Sequence, residues 1–138
     1  MPLFYPFATS SPTWWPKITI PYTALQIGGL TNSAPLLVLP PKGVISAIYA
    51  NVPTPFSGSG IISIVCTIGT SSANAKFMAS VSIAAAGGIN GVALTNPDIE
   101  SLSVSTGINI YVTSVGANLS ALTQGSIDIY LLTSILPS

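Results

Sequence analysis

The stretch SIDIYLLTSI, residues 126–135, decides the fold class, because its apolar side chains recur at every second position. A period of two is typical of a β-strand that buries one face and exposes the other. The predicted inner face carries Ile127, Ile129, Leu131, Thr133 and Ile135, and the predicted outer face carries Ser126, Asp128, Tyr130, Leu132 and Ser134.

Other segments repeat this alternation. In IISIVCTIG (61–69) it predicts that Ile62, Ile64, Cys66 and Ile68 point one way. In AKFMASVSI (75–83) it predicts the same for Phe77, Ala79, Val81 and Ile83. Further strands are predicted at 17–27, 35–39, 43–52, 99–105 and 108–115, with a short pair around INGV (89–92).

Turn residues separate these strands. PTPFSGSG (53–60) is predicted as a loop from its composition, and Gln124-Gly125-Ser126 as a turn. Asn90-Gly91 suits a two-residue hairpin turn, in which both central residues need positive φ. No stretch has a helical period. Short strands about ten residues apart, without helices, predict an all-β antiparallel sandwich.

Roughly eight strands in about 120 residues favour a jelly roll. An immunoglobulin-type sandwich is the alternative, but this chain lacks the paired cysteines of that fold, because Cys66 is its single cysteine. We therefore predict one jelly-roll domain over residues 17–138.

Residues 1–16, MPLFYPFATSSPTWWP, precede this domain and differ from it. Four prolines favour an extended arm over a sheet strand, since proline lacks the backbone N–H. Large aromatic side chains gain free energy on burial, so we expect the arm to dock. Docking on a neighbouring subunit and folding back as a lid on the same sandwich are both open. The predicted contact residues are Phe4, Tyr5, Phe7, Trp14 and Trp15.

The charge content is very low: three lysines, three acids, no histidine and no arginine. About a quarter of the residues of an ordinary globular protein are charged, and a free monomer needs a charged, patch-free surface. This chain must expose Ser, Thr, Asn, Gly and apolar side chains instead. We interpret it as a subunit of an assembly.

The same composition excludes several kinds of chemistry. Without His there is no Ser-His-Asp triad and no His-based metal site, and so few cations rule out a surface that tracks nucleic-acid phosphates. We predict no catalytic residues, no cofactor and no metal. Asp98 and Glu100 are few ligands for Ca²⁺, so a solvated loop edge is favoured, and Asp128 is predicted on an outer face. Cys66 is expected to be a buried thiol.

Residues 43–135 resemble virion structural proteins. The features that carry the resemblance are GVISAIYANVPTPFSGSGIISIVCTIGT and the late LTQGSIDIYLLTSIL, a Gln-Gly turn leading into a final strand. The chain is similar to single jelly-roll subunits of icosahedral capsids and to cement, or decoration, proteins of tailed-phage heads. The resemblance implies a non-enzymatic capsid component whose partners are copies of itself and other capsid proteins. It also implies location in the virion after synthesis in the host cytoplasm.

The sandwich itself offers further interface positions opposite the most regular core stripes. These are Tyr49, Tyr111, Val115, Tyr130 and Leu132. Alternatives to a capsid role are an outer-surface filament or layer subunit and a small membrane β-barrel. Both would be expected to show an export signal, and the proline-broken start does not resemble one; nor is any segment apolar over the ~18 residues of a spanning helix.

Overall fold

The protein is described here from a computed structural model that covers residues 13–89 and 104–135. Within these two ranges, nine strands form two antiparallel sheets, and two one-turn 3₁₀ helices lie at Tyr22–Ala24 and Leu119–Ala121. The strands are β1 (Thr13–Trp14), β2 (Ile18–Pro21), β3 (Thr31–Leu39), β4 (Gly43–Gly58), β5 (Ser63–Thr70), β6 (Ala73–Ser82), β7 (Gly87–Ile89), β8 (Thr106–Val115) and β9 (Leu122–Ile135).

The strand pairing is nested around the β5–β6 hairpin. Outward along the chain, β4 pairs with β7, β3 with β8, and β2 with β9. One sheet has the order β1-β9-β4-β7, with β2 also on β9, and the other has the order β3-β8-β5-β6. The predicted antiparallel sandwich is confirmed, and this nested pairing is consistent with a jelly roll. We call the two sheets the β9 sheet and the β8 sheet.

The core lies between the two sheets and is built from the predicted alternation. Ile127, Ile129 and Leu131 of β9 are fully buried, as are Ile108 and Ile110 of β8. Branched side chains suit these positions, because they pack well on a pleated surface. The predicted inner face of residues 126–135 is thus correct over its central part, whereas Ile135 at its end is exposed.

The predictions of a loop at 53–60 and of a turn at 124–126 are wrong, because residues 53–58 and 124–126 form paired strands. Residues 53–58 of the predicted loop lie within β4, and Gln124-Gly125-Ser126 lies within β9. The two segments pair with each other, with register shifts on both sides of Thr54. Proline is tolerated within a sheet at such bulges, so Pro53 and Pro55 can remain in a strand.

Two details of the predicted side-chain alternation are also wrong. Ile62 precedes β5 and is 80% exposed, instead of pointing inward with Ile64. In β6 the register shifts between Val81, which faces Cys66, and Met78, which faces Ile68. Between these two pairs, β6 has one residue more than β5. This extra residue reverses the alternation, so Phe77 and Met78 are both buried and Ala79 is exposed.

The first strands differ from their predicted extent. Thr13–Trp14, which belong to the predicted arm, pair with β9 of the same chain. The strand predicted at 17–27 ends at Pro21 and continues as a 3₁₀ turn.

Residues 1–12, the Asn90-Gly91 turn, and the segments around Asp98 and Glu100 lie outside the described residues. Within the described ranges, no helix is long and apolar enough to cross a bilayer, and no cluster of potential metal ligands occurs.

Candidate assembly surface

The outer face of the β9 sheet carries a cluster of aromatic and apolar side chains. Trp14 on β1 lies opposite Leu132 on β9, and Tyr49 on β4 lies opposite Tyr130 on β9. Tyr130 and Leu132 are two residues apart, so they share a face. We call Trp14, Tyr49, Tyr130 and Leu132 the aromatic face.

A shallow groove of about 480 Å³ opens on this face. Its lining residues are Trp14, Ile48, Tyr49 and Tyr130. The rings of Tyr49 and Tyr130 are tilted by 43° with centroids 5.6 Å apart, which is an ordinary separation for a favourable aromatic pair. Trp14 is 51% exposed, so much of the apolar surface of its indole is uncovered.

Trp15 joins the residues that follow β1 to β9. Its backbone N–H donates to the carbonyl oxygen of Leu131 at 2.8 Å, and its indole Nε1–H donates to Thr133 Oγ1 at 2.7 Å. These two bonds extend the two-residue strand β1 and fix the direction in which Trp14 projects. Trp15 itself remains 39% exposed.

Asp128 lies on the same side of the sheet but is nearly buried, with 8% exposure. Its neighbours in the sheet are Thr19 on β2 and Asn51 on β4. The Thr19 hydroxyl donates to Asp128 Oδ1 at 2.7 Å, and Lys17 Nζ lies 4.0 Å from Oδ2. The predicted outward direction is correct, but the expected exposure is wrong because flanking strands cover the carboxylate.

The β8 sheet places the other two predicted interface residues on the opposite side of the molecule. Tyr111 lies between Ser33 and Thr67, and its hydroxyl accepts a 3.1 Å hydrogen bond from Asn109 Nδ2. A cleft of about 250 Å³ beside it is lined mainly by hydroxyl and amide side chains, namely Thr31, Asn32, Ser33, Asn74, Tyr111 and Thr113. Val115, at the end of β8, is 52% exposed.

The structure also reveals exposed apolar residues that the sequence analysis missed. Ile27 and Leu30 flank the Gly28-Gly29 pair between β2 and β3, and they are 45% and 49% exposed. Ile62 bonds through its backbone N–H to the carbonyl oxygen of Val115. Backbone bonds also join Ile27 and Leu30 to the segment 114–120. We call Ile27, Leu30 and Ile62 the apolar rim; for Ile27 and Leu30, the adjacent glycines were the available sequence signal.

Cys66 lies in the core, as expected. It is 1% exposed, and burial raises the pKa of its thiol to about 12. A protonated, inaccessible thiol is a poor nucleophile.

Of the predicted contact residues, the structure brings Trp14, Tyr49, Tyr130 and Leu132 together and separates them from Tyr111 and Val115. Phe4, Tyr5 and Phe7 lie outside the described residues.

Comparison with solved structures supplies one informative likeness. The fold is similar to that of a chain in the capsid asymmetric unit of cyanophage Pam1, with a TM-score of 0.61 and 12% sequence identity. The alignment covers 99% of this chain and 92% of that chain. At this identity the two chains share a fold. The sequence matches no protein-family model and no curated protein.

Proposed function

We propose that this chain is a non-enzymatic structural subunit of a virus capsid, either a shell subunit or one that decorates a shell. The main support is the likeness to a capsid chain over nearly the full length of both chains. A fold alone does not establish a function, so the surface must be consistent with the role.

The surface of the sandwich is suited to permanent contacts. The full sequence has three lysines and three acids, and one of those acids, Asp128, is nearly buried. The exposed large apolar side chains include Trp14, Trp15 and Ile62. Interfaces that stay assembled are apolar and poor in charge at their centres, whereas a free monomer is kept apart from its copies by charge.

The test is to purify the full chain and follow its size by sedimentation velocity and electron microscopy. A shell subunit would form closed particles by itself. A decorating subunit would stay small and would bind heads of the parent virus that were assembled with the gene for this chain deleted. Both results support a capsid role and distinguish its two forms.

The opposite result is equally clear. If the chain stays monomeric at millimolar concentration, does not bind those heads and is absent from purified virions by mass spectrometry, the proposal is wrong. Finding the chain in a cell-surface layer and not in virions would also contradict it.

A further inference from the structure

The groove on the aromatic face has the chemistry of a site for an aromatic, proline-rich segment. Aromatic-lined grooves bind such segments because proline restricts the free chain and so lowers the cost of ordering it. Trp14, Tyr49 and Tyr130 supply three aromatic rings, and the two phenols add polar groups that can bond to backbone carbonyls.

The chain contains a segment that matches this groove. FYPF, residues 4–7, has three aromatic side chains around Pro6, and no charged residue occurs before Lys17. We propose that the groove of one copy binds Phe4–Phe7 of a second copy. This inference rests on the proposed function, because it names the contact by which subunits would join.

The direction of β1 favours a second copy over the same chain. Thr13 lies opposite Thr133, and Trp14 lies opposite Leu132, in an antiparallel pair. Toward its N-terminus, β1 therefore runs toward the end of β9 at Ile135, whereas Tyr130 and the groove lie in the other direction. Filling the groove with Phe4–Phe7 of the same chain would require a reversal within residues 8–12, whereas a groove of a second copy that lies beyond this end of β9 would require none.

The segment is long enough to reach a neighbour. Phe4 precedes Thr13 by nine residues and Phe7 by six, and an extended chain spans up to about 3.3 Å per residue, or roughly 30 and 20 Å. A small domain is about 30 Å across. Phe4–Phe7 can therefore reach the near part of an adjacent sandwich, provided that its groove lies on the side that faces Thr13.

The experiment compares three full-length variants with the unmodified chain by sedimentation equilibrium. The arm variant is Phe4→Ala/Tyr5→Ala/Phe7→Ala, and the groove variant is Tyr49→Ala/Tyr130→Ala. The matched control is Tyr111→Ala, which removes a half-buried tyrosine from the outer face of the β8 sheet. We expect the arm and groove variants each to weaken self-association by about 30-fold or more, as for aromatic hot spots, and the control to change it less than about threefold. Circular dichroism establishes that each variant is folded.

Mixing the arm variant with the groove variant tests for donation between copies. The first retains an intact groove and the second an intact arm, so a mixture recovers one arm–groove contact per pair of chains. We expect the mixture to associate at least about tenfold more tightly than either variant alone. A synthetic peptide, MPLFYPFATSSP, lacks tryptophan, so its binding to the arm variant is read from the emission of Trp14 and Trp15.

Three results would overturn the inference. The arm and groove variants could associate as the unmodified chain does, or the peptide could fail to bind. Alternatively, the peptide could bind while the mixture shows no recovery, which would place the segment in the groove of its own chain. If particles or heads still take up all variants equally, the capsid role stands and only this contact is wrong.

Discussion

The outer faces of the two sheets follow the same alternation but differ in chemistry. On the β9 sheet the outward positions include Trp14, Tyr49, Tyr130 and Leu132. On the β8 sheet, Tyr111 is surrounded by Ser33, Thr67 and other hydroxyl and amide side chains. A chain with almost no charge thus keeps one sheet face compatible with water by hydroxyl groups and leaves the other apolar.

For the proposed association of subunits, this difference predicts contact mainly through the β9 sheet. If both outer faces were apolar, copies could stack without limit, face to face. The hydroxyl-rich surface around Tyr111 disfavours apolar contact on that part of the β8 sheet, whose exposed apolar side chains lie near strand ends, at Val38 and Val115. Restricting contact to defined patches is how a subunit specifies one arrangement among many.

The largest effect is expected from matched glycines in the two sheets. Gly125 on β9 has φ +139°, and a Cβ placed there would lie 2.4 Å from the ring of Phe56. Gly107 on β8 has no atom within 4 Å of such a Cβ. We expect Gly125→Ala to lower the free energy of unfolding by roughly 2–4 kcal/mol, through overpacking and backbone strain, and Gly107→Ala to change it by less than about 0.5 kcal/mol. Denaturant unfolding measures both; equal losses would show that β9 is no more constrained than β8.

A second difference is expected at alkaline pH, in the core-facing side of the β8 sheet. The Cys66 pKa is raised by burial to about 12, from 9.0 for an unperturbed thiol. Above pH 9 the unfolded chain loses this proton while the folded chain keeps it, so stability is complete below pH 9 and falls as the pH rises toward 12. By pH 10.5 the loss is on the order of 2 kcal/mol.

Cys66→Ala is the control for this pH effect, because it removes the thiol and leaves the rest of the sequence unchanged. The free energy of unfolding, measured from pH 7 to 11, should fall more steeply with pH for the unmodified protein than for the variant. Parallel dependences would mean that the thiol ionises as easily in the folded protein as in the unfolded chain.

The smallest effects concern the nearly buried carboxylate of the β9 sheet. Thr19→Val removes the 2.7 Å hydrogen bond to Asp128 and should cost about 1–2 kcal/mol, because a charged acceptor then loses a partner. Lys17→Ala removes an ion pair at 4.0 Å whose lysine side chain is 53% exposed, and it should cost less than about 0.5 kcal/mol. Thermal unfolding of the two variants gives the ranking, and a larger loss for Lys17→Ala would reverse our account of how Asp128 is held.

Local alternation was a good guide where a strand is regular and was misleading where it is bulged. It predicted the inner positions Ile64, Ile68, Ile127 and Ile129, which are all buried. It failed in β6, where an extra residue brings Phe77 and Met78 both inward. Bulges depend on the partner strand, so no pattern within one segment reveals them.

The sequence predicted which residues of the candidate surface lie on outer faces, but not which of them lie close together. Alternation alone placed Tyr49, Tyr130 and Leu132 on outer faces. It could not show that they share one sheet with Trp14, or that Tyr111 lies on the other sheet. Those relations depend on which strands become neighbours, and the register between β4 and β9 is what brings the two tyrosine rings together.

The amino-acid sequence by itself determined the strand-forming character of this chain, its single buried thiol and its lack of charge, because each follows from residue type and spacing. Only the tertiary structure decided that 53–58 and 122–126 pair as bulged strands, that Asp128 is covered, and that the aromatic side chains meet on one face. The physical reason is that burial and contact are properties of pairs of segments distant in the chain. Their pairing is chosen by the packing of the whole core and not by either segment alone.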